Sequence, residues 1–254
     1  MPVTSHQPRS YRRLVGAADL VAFEVAIAET DLMVLAREPM REQARGAIRD
    51  ARRQIESHAT LRPEFLTARS PLAPDASAPE VPRQMYEAAR VADTGPMAAV
   101  AGVVAEFVAR RLASGGGEVI VENGGDLFII SARERTVSVR APGSPLDGRL
   151  ALVVPPGELG VCTSSGTVGH SASAGRADAV VIAADAGALA DALATATANR
   201  VHSPQDIEPA IEWARSRAPV RQVVVICGGS LGAWGQFELR QVGGRQGDQQ
   251  PERA

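Results

Sequence analysis

Residues 118–131 read EVIVENGGDLFIIS: two short apolar runs, 118–122 and 127–131, on either side of a polar, glycine-bearing step. Asn-Gly at 123–124 is a strong short-range hairpin signal, because both residues tolerate the left-handed backbone of a tight turn. The two runs therefore read as an antiparallel hairpin, and the other elements are placed around it. Upstream, 20–28 (LVAFEVAIA) and 31–36 (DLMVLA) read as a second hairpin turning at Glu29-Thr30. Downstream, 136–140 and 150–154 are strand-like, with Pro142-Gly143-Ser144-Pro145 as the turn between them. Further strands are expected at 178–183 (DAVVIA), 223–227 and 236–239.

Between the strands lie helical patterns. From Arg41 to His58, Ala44, Ile48, Ala51 and Ile55 recur at helical spacing, while five arginines fall mostly on the other faces. Such an arginine-rich face is a solvated surface first and an anion site second. Met85–Val91 suits a short helix, and 96–112 a helix apolar on nearly every side, stopped by Gly115-Gly116-Gly117. All-round apolarity means burial, in the chain's own core or against a second copy in a homodimer. Helices are also expected at about 186–198 and 205–215. The order of elements predicts an α+β fold, its sheets covered by helices. The chain reads as one domain over 1–242, with a Pro-rich loop at about 70–84 and a disordered polar tail at 243–254.

Composition narrows the function. The 254 residues are 45% hydrophobic and 22% charged, enough to bury a core, and 27 basic against 29 acidic residues leave a charge of −2. That balance gives no electrostatic reason to bind nucleic acid or an acidic membrane, and 4% aromatics make a poor base-stacking platform. No stretch approaches the ~20 apolar residues of a membrane span, and no signal peptide is evident, so a cytoplasmic location is expected. All 27 basic residues are arginine; without lysine there is no Schiff base, P-loop lysine or Ser–Lys nucleophile. Two cysteines, Cys162 and Cys227, make neither a disulfide framework nor a zinc site.

Three polar clusters interrupt the apolar elements. In the first, Glu122 and Asp126 flank Asn123, Gly124 and Gly125, a turn whose backbone can approach a ligand closely; alone it reads as a plain hairpin turn. In the second, 162–171 (CTSSGTVGHS), seven of ten residues carry a hydroxyl, thiol or imidazole, a loop able to offer N–H and hydroxyl donors to a phosphate. Thr163, Ser164, Ser165 and Gly166 are its cofactor-binding candidates. Cys162 and His170 are its candidates for a nucleophile pair, against a buried, inert cysteine. In the third, Asp191 and Thr195 stand four apart on one helix face amid small apolar residues. A carboxylate buried there needs a hydrogen-bonded cap, an arginine or a hard cation, and carboxylate plus hydroxyl oxygens suit Mg²⁺.

These clusters, together with Glu29-Thr30-Asp31-Leu32 and DTGPMAAVAG at 93–102, resemble the ApbE-like superfamily of FAD:protein FMN transferases, and more closely its short bacterial and archaeal branch. The resemblance runs from about residue 11 to 240 and implies an ApbE-like fold of two lobes. It also implies Asp191 and Thr195 as Mg²⁺ ligands, with Asn123, Gly124, Gly125, Asp126 and Thr163–Gly166 lining a pocket for FAD or a similar phosphorylated cofactor. His170 matches a histidine of the family's TSG…H region loosely. The family's lysine is missing from the stretch matching Asp93–Gly102. The activity implied is a Mg²⁺-assisted transferase or hydrolase. The alternatives are a non-catalytic flavin or nucleotide-binding protein and a cofactor-biosynthesis enzyme using Cys162 and His170.

Overall fold

In the computed structural model, the described residues are 15–166 and 175–242. Strand β1 (Val15–Gly16) leads to the hairpin β2 (Val21–Ile27) and β3 (Thr30–Ala36). Then come helices α1 (Arg41–Leu61), α2 (Glu64–Thr67), α3 (Glu80–Ala92) and, after a 3₁₀ turn at Pro96–Ala99, α4 (Val100–Leu112). Five strands follow: β4 (Val119–Asn123), β5 (Asp126–Ser131), β6 (Arg135–Val139), β7 (Leu150–Val154) and β8 (Gly157–Ser164). Next are β9 (Ala179–Ala184), α5 (Gly187–Ala198), α6 (Ile207–Arg217), β10 (Gln222–Cys227), β11 (Ser230–Gly235) and β12 (Leu239–Gln241).

The strands make two sheets, one of eight in the order β11-β10-β9-β8-β5-β4-β3-β2 and one of four in the order β1-β6-β7-β12, every pairing antiparallel. Strand alternation divides the large sheet's side chains between two cores. Phe23, Val34, Phe128, Ile182 and Val225 face the helices, packing on Ile48, Met85, Val108, Leu193 and Ala214. Ile120, Ile129, Val161, Val181 and Ile226 face the small sheet and meet Val137 and Leu152. The α+β class and antiparallel sheets are as the sequence indicates.

Several expectations change in detail. Residues 162–164, the start of the loop expected at 162–171, instead end β8, which is central in the large sheet because Leu159 and Val161 supply one core and Cys162 the other. The closing strand expected at 236–239 is instead β11 at Ser230–Gly235, and β12 belongs to the small sheet. The Pro-rich loop ends earlier than 84, since Pro79 precedes and Glu80 opens α3; Pro82 sits in its first turn, where its missing N–H costs no hydrogen bond. Helix α4 buries Val103, Val104, Phe107 and Val108 in the chain's own core, so it offers no face to a second copy. On α1, Arg52 reaches Glu29, Thr30 and Glu56, so this part of the arginine face clamps the β2–β3 hairpin. The tail 243–254 and His170 lie outside the described residues. Among the described residues, no single helix is long and apolar enough to cross a membrane.

Candidate functional site

The described residues of the three polar clusters meet at one end of the large sheet, under the helices. Asn123 pairs with Asp126 across the β4–β5 turn, leaving Gly124 and Gly125 as a two-residue loop with φ of +68° and +108°. Only such backbone closes a hairpin of this length with the sheet's twist, which is why glycine stands at both places. Glu122 Oε1 accepts from Gly125 N at 2.7 Å, and Asn123 Nδ2 donates to Ala101 O at 3.1 Å, tying the turn to the start of α4. Asp126 points to the helix side, where its Oδ1 accepts from Thr163 N at 3.2 Å.

Helix α5 lies along β8 so closely that side chains are excluded. A Cβ on Gly160 would stand 2.7 Å from Gly187 Cα, and one on Gly102 would stand 2.2 Å from Gly187 O. This three-glycine contact brings the N-termini of α4 and α5 together, and each helix supplies the carboxylate the other lacks. Asp191 Oδ2 accepts from Gly102 N at 2.8 Å, in the first turn of α4. Glu106 Oε2 accepts from Gly187 N at 2.7 Å, in the first turn of α5. First-turn N–H groups have no partner within their own helix, and a carboxylate there is also favoured by the helix dipole. Arg110, bonded to Glu106 at 2.9 Å and to Glu158, completes the chain of contacts on the solvent side.

The cap that the sequence left as one of three ways to satisfy Asp191 is therefore present. It does not account for Asp126. Both carboxyls are buried, and each is pushed above the ordinary carboxylate range, first by loss of solvent. For Asp126 the charge of Asp191 adds to this, then that of Glu122, against hydrogen bonds from Cys162 and Thr163. Asp191 is raised to about 7, its desolvation opposed by the backbone donors of Gly102 and Ala101. Burial disfavours the charged form of both, and a cation held between them would offset that cost.

That donor set fits a hard divalent cation. Thr195 stands one turn beyond Asp191 on α5 and is half-buried. Among the described residues no three His, Cys, Asp or Glu side chains form a metal cage. Mg²⁺ does not ask for one: it keeps waters and substrate phosphates beside one or two carboxylates.

Cys162 also belongs to this cluster but is fully buried, its Sγ donating to Gly187 O at 3.6 Å. Burial, then the Asp126 and Asp191 charges, drive its thiol well above the usual value, so it is held as S–H. Thr163 is half-buried; Ser164 is buried, with Oγ lacking a hydrogen-bond partner among the described residues. Ser165 follows the end of β8, and Gly166 donates N–H to Ala177 O at 2.8 Å. Sequence reasoning missed Gly102, Glu106 and Gly187, and it did not pair Asp126 with Asp191. One signal was available: Glu106 is the only charged residue between Asp93 and Arg110. A charge isolated in an apolar helix demands a partner.

A model of the family described as AbpE bacteria matches residues 12–228. The chain belongs to this family. Among ApbE-like relatives, it is 39% identical over 199 residues to the UPF0280 protein of Methanothermobacter thermautotrophicus, covering 76% of this chain and 77% of that one. With the UPF0280 protein of Methanopyrus kandleri it shares 38% over 226 residues, covering 85% and 91%. Among solved structures, the flavin transferase ApbE from Vibrio cholerae superposes with a TM-score of 0.58 at 12% identity, covering 85% of this chain and 96% of that one. The ApbE protein from Thermotoga maritima gives 0.52 at 12%, covering 84% and 96%. The chain is thus an ApbE-like protein of the UPF0280 branch, with the flavin transferases as neighbours in fold.

Proposed function

We propose that this ApbE-like chain binds Mg²⁺ through Asp126, Asp191 and Thr195 and acts as a Mg²⁺-assisted transferase or hydrolase on FAD or a similar phosphorylated cofactor. One observation carries the reading: Asp126 and Asp191 are both buried and held by backbone amides, at 3.2 and 2.8 Å, and no arginine pairs with either among the described residues. When bound, the cation supplies neutralisation of charge on the phosphoryl oxygens. The protein's own groups do the positioning. Gly102 N fixes one oxygen of Asp191, and Thr163 N fixes one of Asp126. The Gly124–Gly125 turn leaves room for backbone approach, and Thr163–Gly166 offers hydroxyls, Ser164 Oγ among them. In the reaction the family implies, an acceptor hydroxyl or water attacks the FMN phosphorus and AMP departs.

A second reading is binding without turnover. It is favoured by the absence of lysine from the whole chain, and so from the stretch 93–102 where the transferases carry one. The buried, protonated thiol of Cys162 weighs against a nucleophilic role for it. Titration with FAD, with and without Mg²⁺, followed by flavin fluorescence and an assay for released AMP, separates the readings. Mg²⁺-dependent binding with AMP release supports catalysis, and binding alone supports the second reading. No binding at any Mg²⁺ concentration refutes both for FAD.

A further inference from the structure

The two edges of the eight-stranded sheet are finished differently. At β2, Glu24 places a charge mid-strand and Arg41 Nη1 donates to Glu24 O at 2.7 Å, occupying a backbone acceptor of that strand. Charges and covering side chains are how an edge is kept from pairing with another chain. Among the described residues, the opposite edge, β11, has neither. Its six residues, Ser230-Leu231-Gly232-Ala233-Trp234-Gly235, contain no charge and no proline. They pair with β10 in unbroken register, so no bulge twists the edge away. Leu231 and Trp234 are among the few large apolar side chains left exposed, at 43% and 37%.

We infer that β11 is the subunit interface of a homodimer, pairing antiparallel with β11 of a second copy across a two-fold axis. Directly opposed residues of an antiparallel pair point to the same face, so the axis passes between one residue and its own copy. Placed at Ala233, it sets Trp234 opposite Gly232 of the second copy, and Leu231 opposite Gly235. Each large side chain then meets a partner position without one. Gly232 has no space for a Cβ on its own side, which would stand 2.3 Å from Ile207 Cγ2 and 2.9 Å from Ile211 Cδ1. The indole of the second copy would therefore lie beside these α6 side chains.

The charge pattern of α6 favours a second copy over a partner of one sign. Gly232 packs near Ile207 and Ile211, and the Arg215 guanidinium lies 5.0 Å from the Trp234 ring, so α6 runs in the same direction as β11. It is acidic first, at Glu208 and Glu212, and basic last, at Arg215 and Arg217, all four exposed. A two-fold that opposes the two β11 strands also opposes the two α6 helices, setting the acidic end of each toward the basic end of the other.

The test uses the full chain. Sedimentation should give twice the monomer mass for the wild type and the monomer mass for Ala233→Lys, whose far-UV circular dichroism and melting temperature report an intact fold. Ala233→Cys should form an intermolecular disulfide under mild oxidation, because residue 233 would face its own copy; Ala22→Cys on the guarded edge should not. The two native cysteines are buried and serve as the background. A monomeric wild type at high concentration overturns the proposal, as does a dimer that survives Ala233→Lys and fails to cross-link at 233.

Discussion

The Gly102 amide donates to Asp191 Oδ2 at 2.8 Å across 89 residues of sequence, at the point where Gly102 and Gly187 bring two helix N-termini into backbone contact. The same contact lets Glu106 close the first turn of α5. Two helices thus exchange caps, and the carboxylate proposed to hold the cation is oriented by a backbone donor.

Gly102→Ala tests the contact. Its Cβ would fall 2.2 Å from Gly187 O and 2.7 Å from Asp191 Cβ, and the first of these is backbone that cannot turn aside. Overpacking of this kind costs about 3 kcal/mol. The expected result is a melting temperature lower by roughly 10 °C, from about 2–4 °C per kcal/mol in a chain of this size. An unchanged melting curve would show that the helices can separate without loss.

Removal of the Asp191 cap should differ from removal of its charge. Asp191→Ala leaves Gly102 N without its acceptor and should destabilise by about 1–3 kcal/mol. Asp191→Asn keeps a carbonyl oxygen for that amide, so its stability should match or exceed the wild type in EDTA. Both should abolish Mg²⁺-dependent ligand binding. Retained Mg²⁺ dependence in Asp191→Asn would remove Asp191 from the metal site.

Stability should depend on pH with a definite sign. Asp191 is raised to about 7 in the fold against an ordinary value of 3.8, and Asp126 is raised as well. Between these values the folded protein binds more protons than the unfolded one, so stability falls as pH rises from about 4 through 7, then levels for Asp191. In EDTA the melting temperature should therefore drop over this range. Added Mg²⁺ should raise it more near pH 8 than near pH 5, because protonated carboxyls bind the cation poorly. A Mg²⁺ shift equal at both pH values would count against the carboxylate pair.

Glu106 and Arg110 should separate just as clearly. Glu106→Ala orphans the Gly187 amide in a buried setting and should cost about 2–3 kcal/mol in a denaturant titration. Arg110→Ala removes the half-exposed outer partner and should cost under about 1 kcal/mol. Equal losses would place the stability in the ion pair and not in the cap.

Cys162 should resist a maleimide reagent in the native protein and react on unfolding, since its thiol is buried and held protonated. Turnover that survives Cys162→Ala would remove it from the chemistry; turnover lost without loss of fold would restore it.

Much of the architecture is written in local pattern. Asn123-Gly124-Gly125 announces its hairpin because a two-residue turn needs left-handed backbone, and α1 announces itself by apolar residues at helical spacing. The strand β8 does not, because its polar end, Thr163-Ser164, resembles a loop until the sheet on both sides is in place. Likewise β11 holds two glycines and an alanine, and only pairing with β10 makes it a strand.

By itself, then, the sequence determined the α+β class, the main helices and hairpins, and the residue types available for chemistry: a buried aspartate one turn before a threonine, a glycine turn, no lysine. Which of these meet was decided by tertiary structure. Asp126 and Asp191 become neighbours only when α5 lies on β8, and that close approach depends on glycines at 102, 160 and 187 acting together from three separate elements. Local periodicity reports a residue's own element and face. Burial of a charge, its cap and its like-charged neighbour arise from contacts between distant segments, and they exist only once the backbone has closed on itself.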